Sequence, residues 1–308
     1  MHSDLKAVSL LVIGIFCISI NDAILKLLSD SYALHQLIFI RALIGLLIIV
    51  PPILFRQGIT VLRTSTPGLH ALRGVFIVLA NLMFFTGLAT LPLAEASAVV
   101  FTAPVLITIF SYYFLREQIS IWRWIAVSIG LVGMICVVQP FGSQIEIAYL
   151  WPFGAAIVYA GFIITTRFLG RKDSTESLAI YSIVAFLIIS IAMGLIMGDG
   201  RFTGTNNPGL EFLLREWHWS LRDDLWPITM IGFLSAVIAL AMSAAYRASE
   251  ASFLAPFEYI NLPLVLLWGY LVFGDLPNWL ALLGISMIIL GGMIMLSKDS
   301  GRTITRPL

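Results

Sequence analysis

The chain has 308 residues, 59% hydrophobic and only 11% charged, which excludes an ordinary soluble enzyme, since a soluble domain carries roughly 45–50% apolar and about 25% charged residues. A mean hydropathy of +0.98 excludes a disordered or collagen-like chain and points to an all-α membrane protein crossing the bilayer many times. A net charge of +1 gives no general attraction to nucleic acid.

In chain order, apolar runs close to the 20 or so residues a membrane helix needs cover 7–28, 33–53, 70–90, 94–114, 121–139, 148–168, 177–198, 225–246, 250–273 and 278–297. Ten transmembrane helices are therefore predicted. The first run carries Asn21, Asp22 and Lys26 and reads as a retained membrane helix, not a cleaved signal. The third and fourth runs are separated by Leu91-Pro92-Leu93, a turn that proline favours over one long span. A membrane barrel would instead show short alternating segments. Connections are short except 54–69 and 199–224. The latter holds Pro208, Leu210, Phe212, Leu213, Leu214, Trp217 and Trp219, with Trp226 just after. It reads as an interfacial amphipathic connector anchored by tryptophans. A lid over an outer opening is the alternative.

Basic residues set the orientation. With both termini cytoplasmic, Lys6, Arg56, Arg63, Arg73, Arg116, Arg123, Arg167, Arg171, Lys172, Arg247, Lys298, Arg302 and Arg306 fall on the inner side. Only Arg201, Arg215 and Arg222 fall outside. The expected location is the inner (plasma) membrane. Cys17 and Cys136 lie in apolar runs and read as packing residues. His2, His35, His70 and His218 share no helical-face spacing, so no metal site and no cofactor are expected.

The chain divides into halves, 1–143 and 144–308. Glu95-Ala96-Ser97 opens the fourth run and Glu250-Ala251-Ser252 the ninth, followed by Ala103-Pro104 and Ala255-Pro256. Acidic turns come next, Leu115-Arg116-Glu117 and Phe273-Gly274-Asp275, then glycines at 130 and 133 and at 291 and 292. Five spans per half is odd, so the second half must lie upside down. Inverted repeats of this kind recur in secondary transporters, with the substrate site near the midplane.

The run Gly87-Leu88-Ala89-Thr90-Leu91-Pro92-Leu93-Ala94-Glu95-Ala96-Ser97, with Pro104 and Arg116-Glu117, resembles the EamA-type branch of the drug/metabolite transporter superfamily. So does Ala255-Pro256-Phe257-Glu258-Tyr259 with Gly269, Phe273-Gly274-Asp275 and Pro277. The resemblance covers about residues 5–297. It implies a 5+5 inverted repeat around a central cavity lined by helices 1, 3, 4, 6, 8 and 9. Helices 5 and 10 would be peripheral, in a monomer or homodimer. The Pro-Phe-Glu-Tyr run is most similar to S-adenosylmethionine carriers, whereas Asp22 and Lys26 depart from the family's pattern.

A charge at membrane depth is expensive and needs a partner, a cavity or a job. At about 1.5 Å per residue, Arg41 lies about 12 Å below the outer face, Asp22 about 9 Å below it and Glu258 about 12 Å above the inner face. Glu258 sits between Pro256 and Pro263, in the kind of broken helix that lines cavities. It reads as a proton-coupling group, a partner for a substrate cation, or a protonated interhelical hydrogen bond. Arg41 either receives a substrate carboxylate or pairs permanently with Asp22. Asn81, Tyr159 and Tyr259 are candidates to orient a ligand, or interhelical bonds. Glu95 and Glu250 open helices, where the dipole favours carboxylates. With Pro104, Pro256 and Pro263 they are candidates for gating or capping.

The function expected is a secondary transporter moving a small polar metabolite, zwitterionic or cationic, by alternating access. Amino-acid-like, betaine-like and sulfonium-like compounds fit. Protons or an exchanged substrate stand as coupling partners. No phosphate-binding Walker sequence is present to drive transport with ATP. An integral-membrane enzyme would need clustered acids or a nucleophile and a channel a repeated filter element. Neither pattern occurs in the sequence.

Overall fold

The computed structural model describes residues 2–29, 31–90, 93–138, 147–204, 208–219, 224–273 and 278–299. All regular structure among them is helical: α1 (His2–Leu28), α2 (Leu34–Gln57), α3 (Pro67–Thr90), α4 (Leu93–Val100), α5 (Ala103–Leu115), α6 (Ile121–Val138), α7 (Leu150–Leu169), α8 (Thr175–Met197), α9 (Pro208–Leu214), α10 (Leu225–Ala248), α11 (Ala251–Leu254), α12 (Asn261–Phe273) and α13 (Trp279–Asp299). Tighter 3-10 turns cover Ile59–Leu62, Ile147–Tyr149 and Ala255–Ile260. Among the described residues seven helical stretches are long and apolar enough to cross a bilayer, the last being the composite Ala251–Val272. Ala103–Leu115, Ile121–Cys136 and Leu282–Ile294 are apolar but shorter.

Two of the apolar runs are broken. The fourth splits into α4 and α5 at Phe101-Thr102, with Pro104 in the first turn of α5. Proline is tolerated there because first-turn N–H groups have no partner within the helix. The ninth is not one kinked helix. It runs as α11, then the 3-10 segment 255–260 with Pro256 in its first turn, then α12. Three residues per turn in place of 3.6 redirect the side chains of this segment.

The principal packed pairs are α6 on α13, α1 on α10, α3 on α7 and α2 on α8. Small residues permit close approach, as they do in membrane interfaces generally. A Cβ added at Gly133 of α6 would lie 2.7 Å from the Gly284 carbonyl oxygen of α13. The main apolar cluster joins Leu11 and Ile15 of α1, Ile107 of α5, Ile163 of α7, Tyr246 of α10, and Phe253 and Phe257. The broken ninth segment therefore lies at the centre of the bundle.

The 199–224 connector is stitched down and does not merely rest at a surface. Phe212 of α9 is buried against Phe85. Trp217 Nε1 donates to His35 Nδ1 at 2.5 Å, and its ring lies where a Cβ on Gly194 would clash. Gln36 and His218 exchange two hydrogen bonds of 2.6 and 3.0 Å. Tyr32 donates to Asp224 at 2.9 Å, and Arg215 donates to the Ser29 carbonyl at 2.8 Å. Trp219 and Trp226 stay exposed.

Candidate functional site

A cavity of about 260 Å³ lies among α1, α2, α3, α4, α5, α7, α8, α10, the 255–260 segment and α12. Asp22, Arg41, Asn81, Pro104, Tyr159 and Glu258 all lie on its wall. So do the rings of Phe84, Phe101, Phe162, Phe186 and Trp268.

Arg41 is 6% exposed. Its Nη1 donates to Asn21 Oδ1 at 3.2 Å and its Nη2 to Asn81 Oδ1 at 2.8 Å. The guanidinium sits 4.9 Å from the centre of the Phe186 ring, an arrangement that favours a cation. Asn21 is itself anchored, donating to the Ile231 carbonyl of α10 at 3.2 Å. Among the described residues Arg41 and Asp22 make no ion-pair contact within 4 Å, though the two charges lie close enough to interact. Two neutral amides hold the cation instead.

Glu258 sits across the wall from this group's helices, on the 3-10 segment. Tyr159 donates to both carboxylate oxygens at 3.1 Å, and Tyr246 donates to Oε1 at very short range. The broken helix turns Glu258 to the cavity and the next side chain away from it. Tyr259 is fully buried against Phe101, Met134, Leu262 and Ile288, with its ring where a Cβ on Gly130 would stand. It does not line the cavity, which corrects the ligand-orienting role expected of it. Pro256 is buried and Pro263 half-buried, and neither belongs to the wall.

Glu250 takes the N-cap position of α11 but forms no side-chain cap bond. Its carboxylate meets Arg123 Nη2 at 2.5 Å. Ser249 donates to Asp4 at 3.2 Å. The Glu95 side chain, and Asp275 as a whole, lie outside the described residues.

Some residues with local roles were not singled out in the sequence. Tyr246 carries no signal beyond its type, because only the fold brings α10 back against Glu258. Arg73, counted as an inner-face charge, is 1% exposed. Its Nε donates to Thr166 Oγ1 at 2.7 Å, its Nη1 to the Leu178 carbonyl at 2.8 Å and its Nη2 to Ser243 Oγ at 3.5 Å. It also stacks over Phe162 at 4.7 Å. Phe162 and Ser243 line the cavity, so Arg73 props that wall from behind. Among the described residues no group of His, Cys, Asp and Glu could hold a metal ion.

A buried charge hydrogen-bonded only by neutral groups is solvated but not neutralised. Arg41 thus offers attraction to an anionic or acceptor group and Glu258 to a cationic or donor group, with Asp22 a second acidic group on the wall within electrostatic reach of Arg41. The aromatic rings on the same wall supply apolar contact area.

The EamA-like transporter family matches the chain twice, over residues 5–139 and 146–297. A riboflavin transporter of Brucella anthropi is 26% identical over 84% of this chain and 87% of its own length. An S-adenosylmethionine uptake transporter of Rickettsia conorii is 24% identical over 94% and 92%. A pseudopaline exporter of Pseudomonas aeruginosa is 27% identical over 95% and 96%. One solved crystal structure shares the fold, with a TM-score of 0.75 over 98% of this chain and 99% of that one at 17% identity. The chain belongs to the EamA-like transporter family and is a multi-pass membrane transporter, not an enzyme.

Proposed function

We propose that the protein carries a small zwitterionic metabolite across the inner membrane by alternating access. The observation that carries this reading is a pair of groups of opposite charge on one cavity wall, Arg41 buried and Glu258 half-buried. Arg41 and Glu258 are each hydrogen-bonded by uncharged groups. A substrate carboxylate would take the guanidinium, and an ammonium or sulfonium the carboxylate. Asp22, also on the wall, would draw the cationic end toward the Arg41 side in an amino-acid-like compound.

The architecture proposed is ten spans in two inverted five-helix units, 1–143 and 144–308, with both termini cytoplasmic. The double family match supports it. So does the pairing of broken helices, α4–α5 in one half and α11–α12 in the other, each with Ala-Pro directly after its first segment breaks off, at 103–104 and 255–256. The halves would rock about the midplane cavity. Protons or a counter-substrate would supply the driving force, and the unit would be a monomer or homodimer.

The test is thermal stabilisation of purified protein by amino acids, betaines, sulfonium compounds and riboflavin, because a ligand bound only by the folded state raises its melting temperature. Saturable counterflow of the hits in proteoliposomes follows. A doubly charged hit whose binding is lost in Arg41→Gln and Glu258→Gln is expected. A second reading has its own support: the rings of Phe84, Phe101, Phe162, Phe186 and Trp268 would suit a flat flavin, and several relatives carry the name riboflavin transporter. Stabilisation by riboflavin alone, unchanged in Arg41→Gln, would replace the zwitterion with that reading.

A further inference from the structure

At the end of the bundle opposite Trp217, α11 starts without a cap of its own, because Glu250 has turned to Arg123. Its free N–H groups are taken by a carboxylate from elsewhere in the chain. Glu117, on the connection from α5 to α6, accepts from the Ala251 N–H at 3.1 Å through Oε1. Its Oε2 accepts from the Ser252 N–H at 3.0 Å and the Ser252 hydroxyl at 2.7 Å. Arg167 of α7 holds Nε 3.6 Å from the same carboxylate and donates to the Arg247 carbonyl of α10 at 2.8 Å. Arg123 Nη1 donates to the Ser252 hydroxyl at 2.5 Å. Glu117 is 5% exposed.

The backbone is bent to make this contact. Arg116 ends α5 in the left-handed region, φ 53 and ψ 35, and is the non-glycine residue at positive φ among those described. Such a conformation is costly for a side chain with a Cβ. It persists where surroundings demand it, often in segments that switch. Here it folds the chain back so that the Glu117 N–H meets the Ser111 carbonyl at 3.2 Å and the carboxylate points at α11.

We propose that Glu117 is a latch: it holds the transport cavity shut at this end by capping the segment that leads to Glu258, and it must release for the cavity to open there. This rests on the alternating-access reading, though not on the identity of the substrate. The elements it ties, α5, α7 and α11 directly and α10 through Arg167, lead to the cavity wall: α5, α7 and α10 carry Pro104, Tyr159 and Ser243 there, and α11 runs into the 3-10 segment that carries Glu258. Between latch and cavity lies a buried layer that includes Thr108 and Ile107, both fully buried. Hydrogen bonds of a carboxylate to N–H and O–H groups exchange for water bonds without unpacking a core. A charged bracket can therefore part and reform, where interlocked apolar side chains resist small displacement. Glu117 acts through α11 on the position of Glu258, and is a positioning residue that does not touch substrate.

The test needs no substrate. In a background lacking Cys17 and Cys136, single cysteines are placed at Thr108, between latch and cavity, and at Ala23, on the cavity wall toward the Trp217 end. Vesicles of each orientation are treated with a membrane-impermeant maleimide. With Glu117 intact, T108C is protected. In Glu117→Gln, which keeps the volume but removes the charge, T108C labelling from the Glu117 side rises about tenfold while A23C labelling from the opposite side falls. Simple loosening would raise both, and that result overturns the latch, as does unchanged labelling. If Glu117→Gln does not fold, Ser252→Ala decides: it removes one of the three bonds to Glu117, together with the Arg123 bond to the same hydroxyl, and is expected to raise T108C labelling about twofold to threefold with the same reciprocal fall. No change in Ser252→Ala then overturns the proposal. Labelling is read without ligand, so a wrong substrate class leaves this result standing.

Discussion

The two ends of the bundle are both stitched across long stretches of chain, but with different chemistry. At the Glu117 end two ties are ion pairs, buried Glu117 with Arg167 and Arg123 with half-buried Glu250, and His70 hydrogen-bonds Asp173 at 3.0 Å. At the Trp217 end each tie has at least one neutral partner: Trp217 to His35, Gln36 to His218, Tyr32 to Asp224. A neutral hydrogen bond contributes about 0.5–1.5 kcal/mol net. Removing one partner of a buried ion pair costs about 3–5 kcal/mol, because the other charge is left stranded. The first end should therefore behave as a two-position bracket, closed or released, and the second as a tolerant seam.

The largest effect expected follows from that contrast. Glu117→Leu strands Arg167 and two N–H groups, and should destabilise by about 3–5 kcal/mol, read as a fall in melting temperature in detergent. Gln36→Leu at the other end leaves the His218 N–H unpaired and should cost about 1–3 kcal/mol. Equal losses at the two ends would erase the distinction.

The next effect is functional and lies between the ends. Glu258→Gln keeps acceptors and volume for Tyr159 and Tyr246 while removing the charge. Transport should fall at least about tenfold, the equivalent of about 1.4 kcal/mol, with the protein still folded. Arg41→Gln should lose transport similarly. If either variant transports at the parental rate, the charge at that side of the cavity has no part in the cycle.

Much of this was legible from residue types and spacing. Each of the ten apolar runs contains observed helix, because periodicity and length are local properties. Asp22, Arg41, Asn81, Tyr159 and Glu258 stood out because a polar group at membrane depth needs a reason, and all five line the cavity. What could not be read depends on contacts distant in sequence. Glu117 and Ser252 are 135 residues apart, and nothing near either one signals the other. Arg73 and Arg123 counted as face charges although both are buried, since position near a helix start does not reveal what packs over it. The helix breaks had partial signals. Proline marked the places, but the 3-10 winding that separates Glu258 from Tyr259 is set by packing.

A smaller effect is expected at Tyr246, whose hydroxyl shares Glu258 with Tyr159. Tyr246→Phe removes one donor and leaves another, so a loss of about 1 kcal/mol is expected. The reduction in transport should be milder than in Glu258→Gln. A loss as large as that of the charge itself would mean that the tyrosine, and not the carboxylate, meets the substrate.

The smallest effect is expected one residue beyond Glu258. The Tyr259 hydroxyl is buried and has no hydrogen-bond partner among the described residues, while its ring packs on Phe101 at a centroid distance of 6.4 Å. Tyr259→Phe keeps the ring and removes a polar atom whose burial is uncompensated, so stability should hold or rise by about 1 kcal/mol or less. Transport should be unchanged, because the side chain points toward α6 and α13 and away from the cavity. The measurement is the melting temperature together with uptake in the same preparation. A transport-dead Tyr259→Phe with parental stability would mean that this face of the 3-10 segment moves into the cavity during the cycle. In that case the segment rolls as it travels, and the two neighbouring side chains take turns at the wall.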